Sequence, residues 1–288
     1  MIKDMTANFQ EAASLIIEKA RSLASQGMTE KGNAQPPFLL ENLARIKGVS
    51  KIEEADLSDT SAILMRCQEG YIIKVNKNHH PVRQRFSCAH EIGHLLFDDL
   101  RLEGFVSNVE HRTSNPHIQT RPRDNVKERL CDIAATELLM PESVFRKYLA
   151  NVGVSVNSVE RLAHTFGVSI PSSAIRITEV SLEGCLALLW QPRLRRKGAK
   201  MLKLAWCVGP GPSFSTGGRY TLIHDKVTPP SMLHKAYEQD FVVKCFKKFR
   251  HGDTVKPLAM ESKGFGYHDM RYVISLAFLK DDSVIENS

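Results

Sequence analysis

Residues 86–96 read FSCAHEIGHLL, an apolar run holding two histidines four residues apart and a glutamate directly after the first. No other stretch limits the possible folds as tightly. Four residues of α-helix advance about 400°, so His90 and His94 point about 40° apart, one turn along the axis. Phe86, Ala89, Ile92 and Leu96 form an apolar face beside them, which buries the helix. Three buried polar groups without a common partner are costly. A second element must therefore face this helix, and the imidazoles need something to share. A metal ion meets that need. Two imidazoles so placed reach one ion, and Glu91, displaced about 100° from His90, stands beside an open coordination position as a proton acceptor. With 11 histidines in 288 residues, chance produces this pattern in roughly 3% of such chains.

A catalytic zinc usually has three protein ligands and a water, so a third ligand is required. Asp98 continues the series but lies about 12 Å along the axis from His90. Glu103, Glu110, His111 and His117 fall in the polar stretch that follows, and spacing does not exclude them. Glu128 is better placed. It opens a helix whose apolar positions Leu130, Ile133, Ala134, Leu138 and Leu139 would pack it against the first. Asp132, one turn later on the same face, is placed to orient a ligand imidazole from behind.

The surrounding pattern is α+β. Residues 6–27 predict a helix with Ala12, Leu15, Ile16, Ala20 and Leu23 inward, and FLLENLARIKG predicts another ending at Gly48. SAILMRCQEGYIIKVN predicts two strands joined by a turn at Gln68-Glu69-Gly70. A helix over 82–97 carries the histidines, a loop runs from Asp98 to Asn125, and NVKERLCDIAATELLM is helical again. SVERLAHTFGVSIPSSAIRITEV has helix-turn-helix spacing about Gly167 and is expected to be a small helical packing unit, with Ser172, Ser173 and Arg176 as weak candidates for reading DNA. After Val180 come strands, in CLALLWQP, KMLKLAWCVG, GRYTLIHD, DFVVKCFKKF and RYVISLAFL, with one helical piece at SMLHKAYEQ. The expected division is 1–145, 146–182 and 183–288.

No stretch approaches the ~18 apolar residues needed to cross a membrane. Six cysteines are scattered without a CxxC pair, which points to free thiols in a reducing cytoplasm. Residues 1–183 hold 22 Lys and Arg against 23 Asp and Glu, whereas residues 184–288 hold 17 against 9. The basic surplus belongs to the last third, where an acidic partner, including nucleic acid, becomes a possibility. The strand YIIKVN borders the histidine helix in chain order. If it is a sheet edge, Tyr71, Ile73 and Val75 would hold a substrate peptide added as a further strand. Tyr71, His79, His80 and Arg85 are the candidates nearby for polarising a carbonyl, with His79 and His80 expected in an exposed loop. Cys88 and Cys131 flank the histidine and glutamate phrases and are expected to be small buried thiols.

RFSCAHEIGHLLF followed by ERLCDIAATELLMP resembles the ImmA/IrrE family of metallopeptidases. The second phrase carries the resemblance at Glu128, Cys131, Asp132, Ala135, Leu138, Leu139, Met140 and Pro141. The resemblance implies a zincin-like minimal metallopeptidase domain with His90, His94 and Glu128 as ligands to zinc, or to manganese, and Glu91 as base. It implies a small helix-turn-helix-like segment next, then a GAF-like C-terminal domain able to take a small-molecule ligand. It further implies a substrate class, helix-turn-helix repressors of the XRE type. The competing expectation is a DNA-binding regulator whose metal site is only structural.

Overall fold

The computed structural model describes residues 2–30, 34–97, 122–194, 200–211 and 220–279. The fold is mixed α+β. The chain forms two compact units, Met1–Val144 with His164–Ser169, and Phe145–Ala163 with Ile170–Ser288.

In the first unit, α1 (Ile2–Thr29) and α2 (Leu40–Ile46) are followed by strands β1 (Val49–Ala55), β2 (Ala62–Cys67) and β3 (Gly70–Asn76). Then come α3 (Pro81–Leu95) and α4 (Pro122–Leu139). Helix α1 buries Ala12, Ala13, Ile16, Ala20, Leu23 and Ala24, whereas Leu15, expected inward, is exposed. That small-residue stripe lets α1 lie closely on α4. The sheet order is β1-β3-β2, with β3 parallel to β1 and antiparallel to β2. Strand β3 is therefore the middle strand, hydrogen-bonded on both sides. Ile73 and Val75 are buried. Sequence reasoning left open whether this strand is an edge that receives a substrate or an internal strand; its backbone groups are spent on β1 and β2, so strand addition at Tyr71, Ile73 and Val75 has no free edge to use. What sequence reasoning missed was β1, whose run VSKIEEA holds three charged residues and buries only Val49.

The turn from β3 into α3 is held by Asn76. Its buried side chain donates to the carbonyls of Ser58 (2.9 Å) and Thr60 (2.8 Å) and accepts from the amide of Asn78 (3.0 Å). Pro81 occupies the first helical turn and His80 Nδ1 accepts from the Val82 amide at 3.3 Å, an N-cap that starts α3.

The second unit contains α5 (Glu142–Val152) from Phe145 onward, most of α6 (Val156–Phe166) and α7 (Ile170–Val180). Its strands are β4 (Cys185–Leu194), β5 (Lys200–Val208), β6 (Thr221–Leu222), β7 (Lys226–Val227), β8 (Val243–His251), β9 (Thr254–Phe265) and β10 (Tyr272–Phe278). They form one antiparallel sheet in the order β6-β8-β9-β10-β4-β5-β7. Helix α7 packs on β4 and β10, and α8 (Met232–Glu238) packs on β8, β9 and β10. The core between sheet and α8 includes Leu188, Trp190, Leu233, Tyr237 and Met260.

Gly167 does turn the chain between α6 and α7 with φ +63°. Two of the three side chains that DNA reading would need there are turned inward, as a helical packing unit requires. Ser173 is fully buried and its hydroxyl donates to the Val159 carbonyl at 2.9 Å. Arg176 is buried and paired with Glu179 at 2.9 Å. Only Ser172 of the three is not buried.

Candidate metal centre

Helices α3 and α4 face each other with polar residues at matching intervals. On α3 these are His90 and His94 with Gly93 between them. On α4 they are Glu128, Cys131 and Asp132, also spaced three and four apart, so each set lies on one helical face. Gly93 sets the separation. A Cβ there would stand 3.2 Å from the Cys131 carbonyl oxygen and 3.3 Å from Ala134 Cβ. A side chain at that point would push the two faces apart.

His90 is fully buried between two carboxylates. Its Nδ1 lies 2.8 Å from Asp132 Oδ1, and its Nε2 lies 3.1 Å from Glu128 Oε2. His94 Nε2 lies 3.5 Å from Glu128 Oε1. The Nε2 atoms of both imidazoles thus converge on one carboxylate, with the rings 5.0 Å apart at 74°. On the other side of the His94 ring, Nδ1 meets Cys131 Sγ at 3.3 Å. Each ring therefore has its Nδ1 held from behind and its Nε2 presented forward. Glu91, next in sequence to His90, is buried as well.

The donor set suits a divalent metal ion, since two neutral imidazoles and one carboxylate are ordinary ligands for such an ion. A second grouping, His90, His94 and Cys131, also brings its donor atoms within 4.8 Å of one another. We favour Glu128 over Cys131 on geometry. The sulfur lies on the Nδ1 side of His94, while both Nε2 atoms face the glutamate. Burial pushes the Cys131 thiol well above its ordinary range, with nearby Glu128 adding to the effect.

The structure brings His90, His94, Glu128 and Asp132 together as the spacing predicts. Asp98, Glu103, Glu110, His111 and His117 lie outside the described residues. Tyr71, Ile73 and Val75 belong to the sheet and not to this cluster. His80 is exposed and caps α3, whereas His79, expected in an exposed loop, is half-buried, and its Nδ1 has no hydrogen-bond partner among the described residues. Arg85 ties α3 to the carbonyls of Phe38 (3.1 Å) and Gly167 (3.3 Å). Cys88 is buried, and that burial, with Glu41 adding to it, raises its thiol to about 12. Sequence reasoning missed what Gly93 and Cys131 do at the contact. Spacing puts both on the contact face, three residues after His90 and three after Glu128, but does not tell how closely the two helices approach.

A helix-borne histidine pair whose Nε2 atoms meet a carboxylate from a facing helix places this chain among proteins built on the His-Glu-x-x-His arrangement. Residues 49–178 match the peptidase M78 family, described as the IrrE N-terminal-like domain. Over 113 residues the chain is 34% identical to the radiation response metalloprotease IrrE of Deinococcus radiodurans, covering 38% of this chain and 32% of that one. With the protein of the same name from Deinococcus deserti it is 31% identical over 114 residues, covering 38% and 37%. The matched region thus spans about a third of the length of these relatives. A Mycobacterium tuberculosis transcriptional regulator shares the fold, at a TM-score of 0.56 and 14% identity, over 94% of this chain and 81% of that one. Over residues 49–178 the chain thus carries a domain similar to the IrrE N-terminal-like domain.

Proposed function

We propose that the protein is a zinc-dependent endopeptidase, with manganese as the other candidate metal, that cuts a cytoplasmic helix-turn-helix repressor of the XRE type and so releases the genes it silences. The observation that supports this reading best is the convergence of His90 Nε2 and His94 Nε2 on the Glu128 carboxylate at 3.1 and 3.5 Å. In this reading His90, His94 and Glu128 hold the ion, and Asp132 keeps the His90 ring in the tautomer that leaves Nε2 free to bind. When bound, the ion supplies a Lewis acid for the scissile carbonyl and lowers the pKa of water toward ~7. Glu91 takes the proton from the attacking water and passes it to the amide nitrogen as the C–N bond breaks. Such acid–base work contributes about 10² to 10⁴ in rate. Burial of Glu91 keeps competing water away from that proton. The second unit, an antiparallel sheet with helices on both faces, is proposed as a GAF-like sensor that takes a small ligand.

The test uses the full chain with repressors encoded beside its gene. Wild type is expected to cut one of them, and a chelator should stop the cut. Glu91→Gln should retain the metal, measured by elemental analysis, and lose at least about 100-fold in rate. Glu128→Ala should lose both metal and cleavage. Full activity in Glu91→Gln, or normal metal content in Glu128→Ala, would refute the assignment. Chelator-insensitive binding to duplex DNA without cleavage would instead favour a regulator with a structural metal, a reading weakened by the burial of Ser173 and Arg176.

A further inference from the structure

We propose that Cys131 is a positioning residue of the metal centre: its sulfur accepts the Nδ1 proton of His94 and so turns Nε2 of that ring toward the ion. The inference rests on the proposed reading of His90, His94 and Glu128 as ligands. An imidazole that binds through Nε2 carries its proton on Nδ1, and the group that receives this proton fixes both the tautomer and the ring. On His90 that group is Asp132 Oδ1, at 2.8 Å. On His94 the atom in the same place is Cys131 Sγ, 3.3 Å from Nδ1. Around the sulfur, α4 buries Leu130, Ala134 and Ala135, whose side chains offer no acceptor.

Backbone contacts fix the place of the sulfur. A Cβ on Gly93 would stand 3.2 Å from the Cys131 carbonyl oxygen and 3.3 Å from its Cα, so α3 touches α4 at this residue. His94 follows Gly93 directly. The residue of α4 that meets the glycine therefore also meets the ligand ring, and the closeness of the two helices sets how that ring is held. Cys131 is fully buried, whereas the Asp132 side chain is 41% exposed. Burial keeps water from competing for the Nδ1 proton of His94, so an acceptor as weak as sulfur suffices there. The other use of this cysteine is as a ligand, because donor atoms of His90, His94 and Cys131 lie within 4.8 Å of one another. The sulfur lies against Nδ1 while both Nε2 atoms approach Glu128, an arrangement that suits support better than ligation.

The experiment compares the full-length protein with Cys131→Ser and Cys131→Ala. The two substitutions leave side chains of nearly equal size and differ in the acceptor, so any loss of packing is common to both. Zinc affinity is measured by chelator competition. Cys131→Ala should bind zinc about ten-fold more weakly than wild type, and Cys131→Ser should stay within about three-fold of it. In the proton NMR spectrum of the zinc-loaded protein, the His94 Nδ1 proton should exchange slowly in wild type and in Cys131→Ser, and be lost to exchange in Cys131→Ala. Wild type loaded with cobalt should lack a sulfur-to-cobalt charge-transfer band. These two spectra of wild type test the proposal even where a variant does not fold. Equal losses in Cys131→Ser and Cys131→Ala would reduce the residue to packing and overturn the proposal. A charge-transfer band that vanishes in Cys131→Ser would make the sulfur a ligand, and a freely exchanging Nδ1 proton in wild type would leave it without a role; either overturns it too. Wild type that binds no zinc would sink the metal reading itself, whereas equal zinc affinity in all three proteins would sink this inference alone.

Discussion

Gly93 shows how one missing side chain builds a site. It lies on the inward face of α3 between the two histidines, where Cβ contacts of 3.2 and 3.3 Å with α4 leave no room. In Gly93→Ala the helices must shift by a few tenths of an ångström, and the imidazoles then lose their alignment with Glu128. Overpacking of this kind costs about 1–3 kcal/mol, so a loss of that size is expected in urea unfolding. A fall in metal affinity, read by chelator competition, should accompany it. A variant as stable as wild type with unaltered metal affinity would show that the contact is slack. The histidines and the two α4 carboxylates were legible in the sequence because helical spacing alone puts each pair on one face. Gly93 and Cys131 were not, because their roles depend on how closely two helices approach, which no single-helix periodicity contains.

Strands were harder to read than helices, and the misses have a common cause. Strand β9 is the longest among the described residues, yet it carries Pro257, which ordinarily argues against an internal strand. The register resolves this. Strand β10 pairs β9 only from Met260 to Phe265, so at Pro257 β9 has a partner on the β8 side alone. The missing amide hydrogen therefore costs no ladder bond on the open side. Strand β1 was missed for a related reason: as an edge it needs little apolar alternation, and missing it left the place of β3 open. The centre of the larger sheet has the opposite character. Trp190 Nε1 donates to Ser275 Oγ at 3.0 Å, and Ser275 Oγ lies 2.7 Å from Ser262 Oγ, all three residues fully buried. This chain of hydrogen bonds fixes the register of β4, β9 and β10 against one another. Ser275→Ala leaves the indole N–H buried without that acceptor, which costs about 1–3 kcal/mol. A shift of the denaturation midpoint by this amount, with a blue-shifted or broadened Trp190 emission, is the expected result; an unchanged midpoint would mean the indole finds another acceptor.

At the scale of the whole molecule, free thiols couple stability to pH. All six cysteines are unpaired, and three of them are buried. Cys185 sits fully buried at the start of β4, and burial, with Glu183 adding to it, raises its thiol from 9.0 to about 12. Burial alone raises Cys207 to about 11. A raised folded-state pKa on an acid means the native state favours the neutral thiol. Below about pH 9 the thiol is neutral in both the folded and unfolded states, and its contribution to stability is fully present. Above that, only the unfolded chain ionises, so stability falls as pH rises toward 12 for Cys185 and toward 11 for Cys207. Each such thiol contributes a slope of about 1.4 kcal/mol per pH unit in that window. Cys185→Ala removes one of them. Its unfolding free energy should therefore start lower at neutral pH, through the lost packing of the sulfur, and then decline less steeply than wild type above about pH 9. Urea unfolding at several pH values between about 7 and 10.5 measures both slopes. Parallel slopes for the two proteins would mean that Cys185 ionises as readily in the folded sheet as in the unfolded chain, which full burial in an apolar strand does not allow.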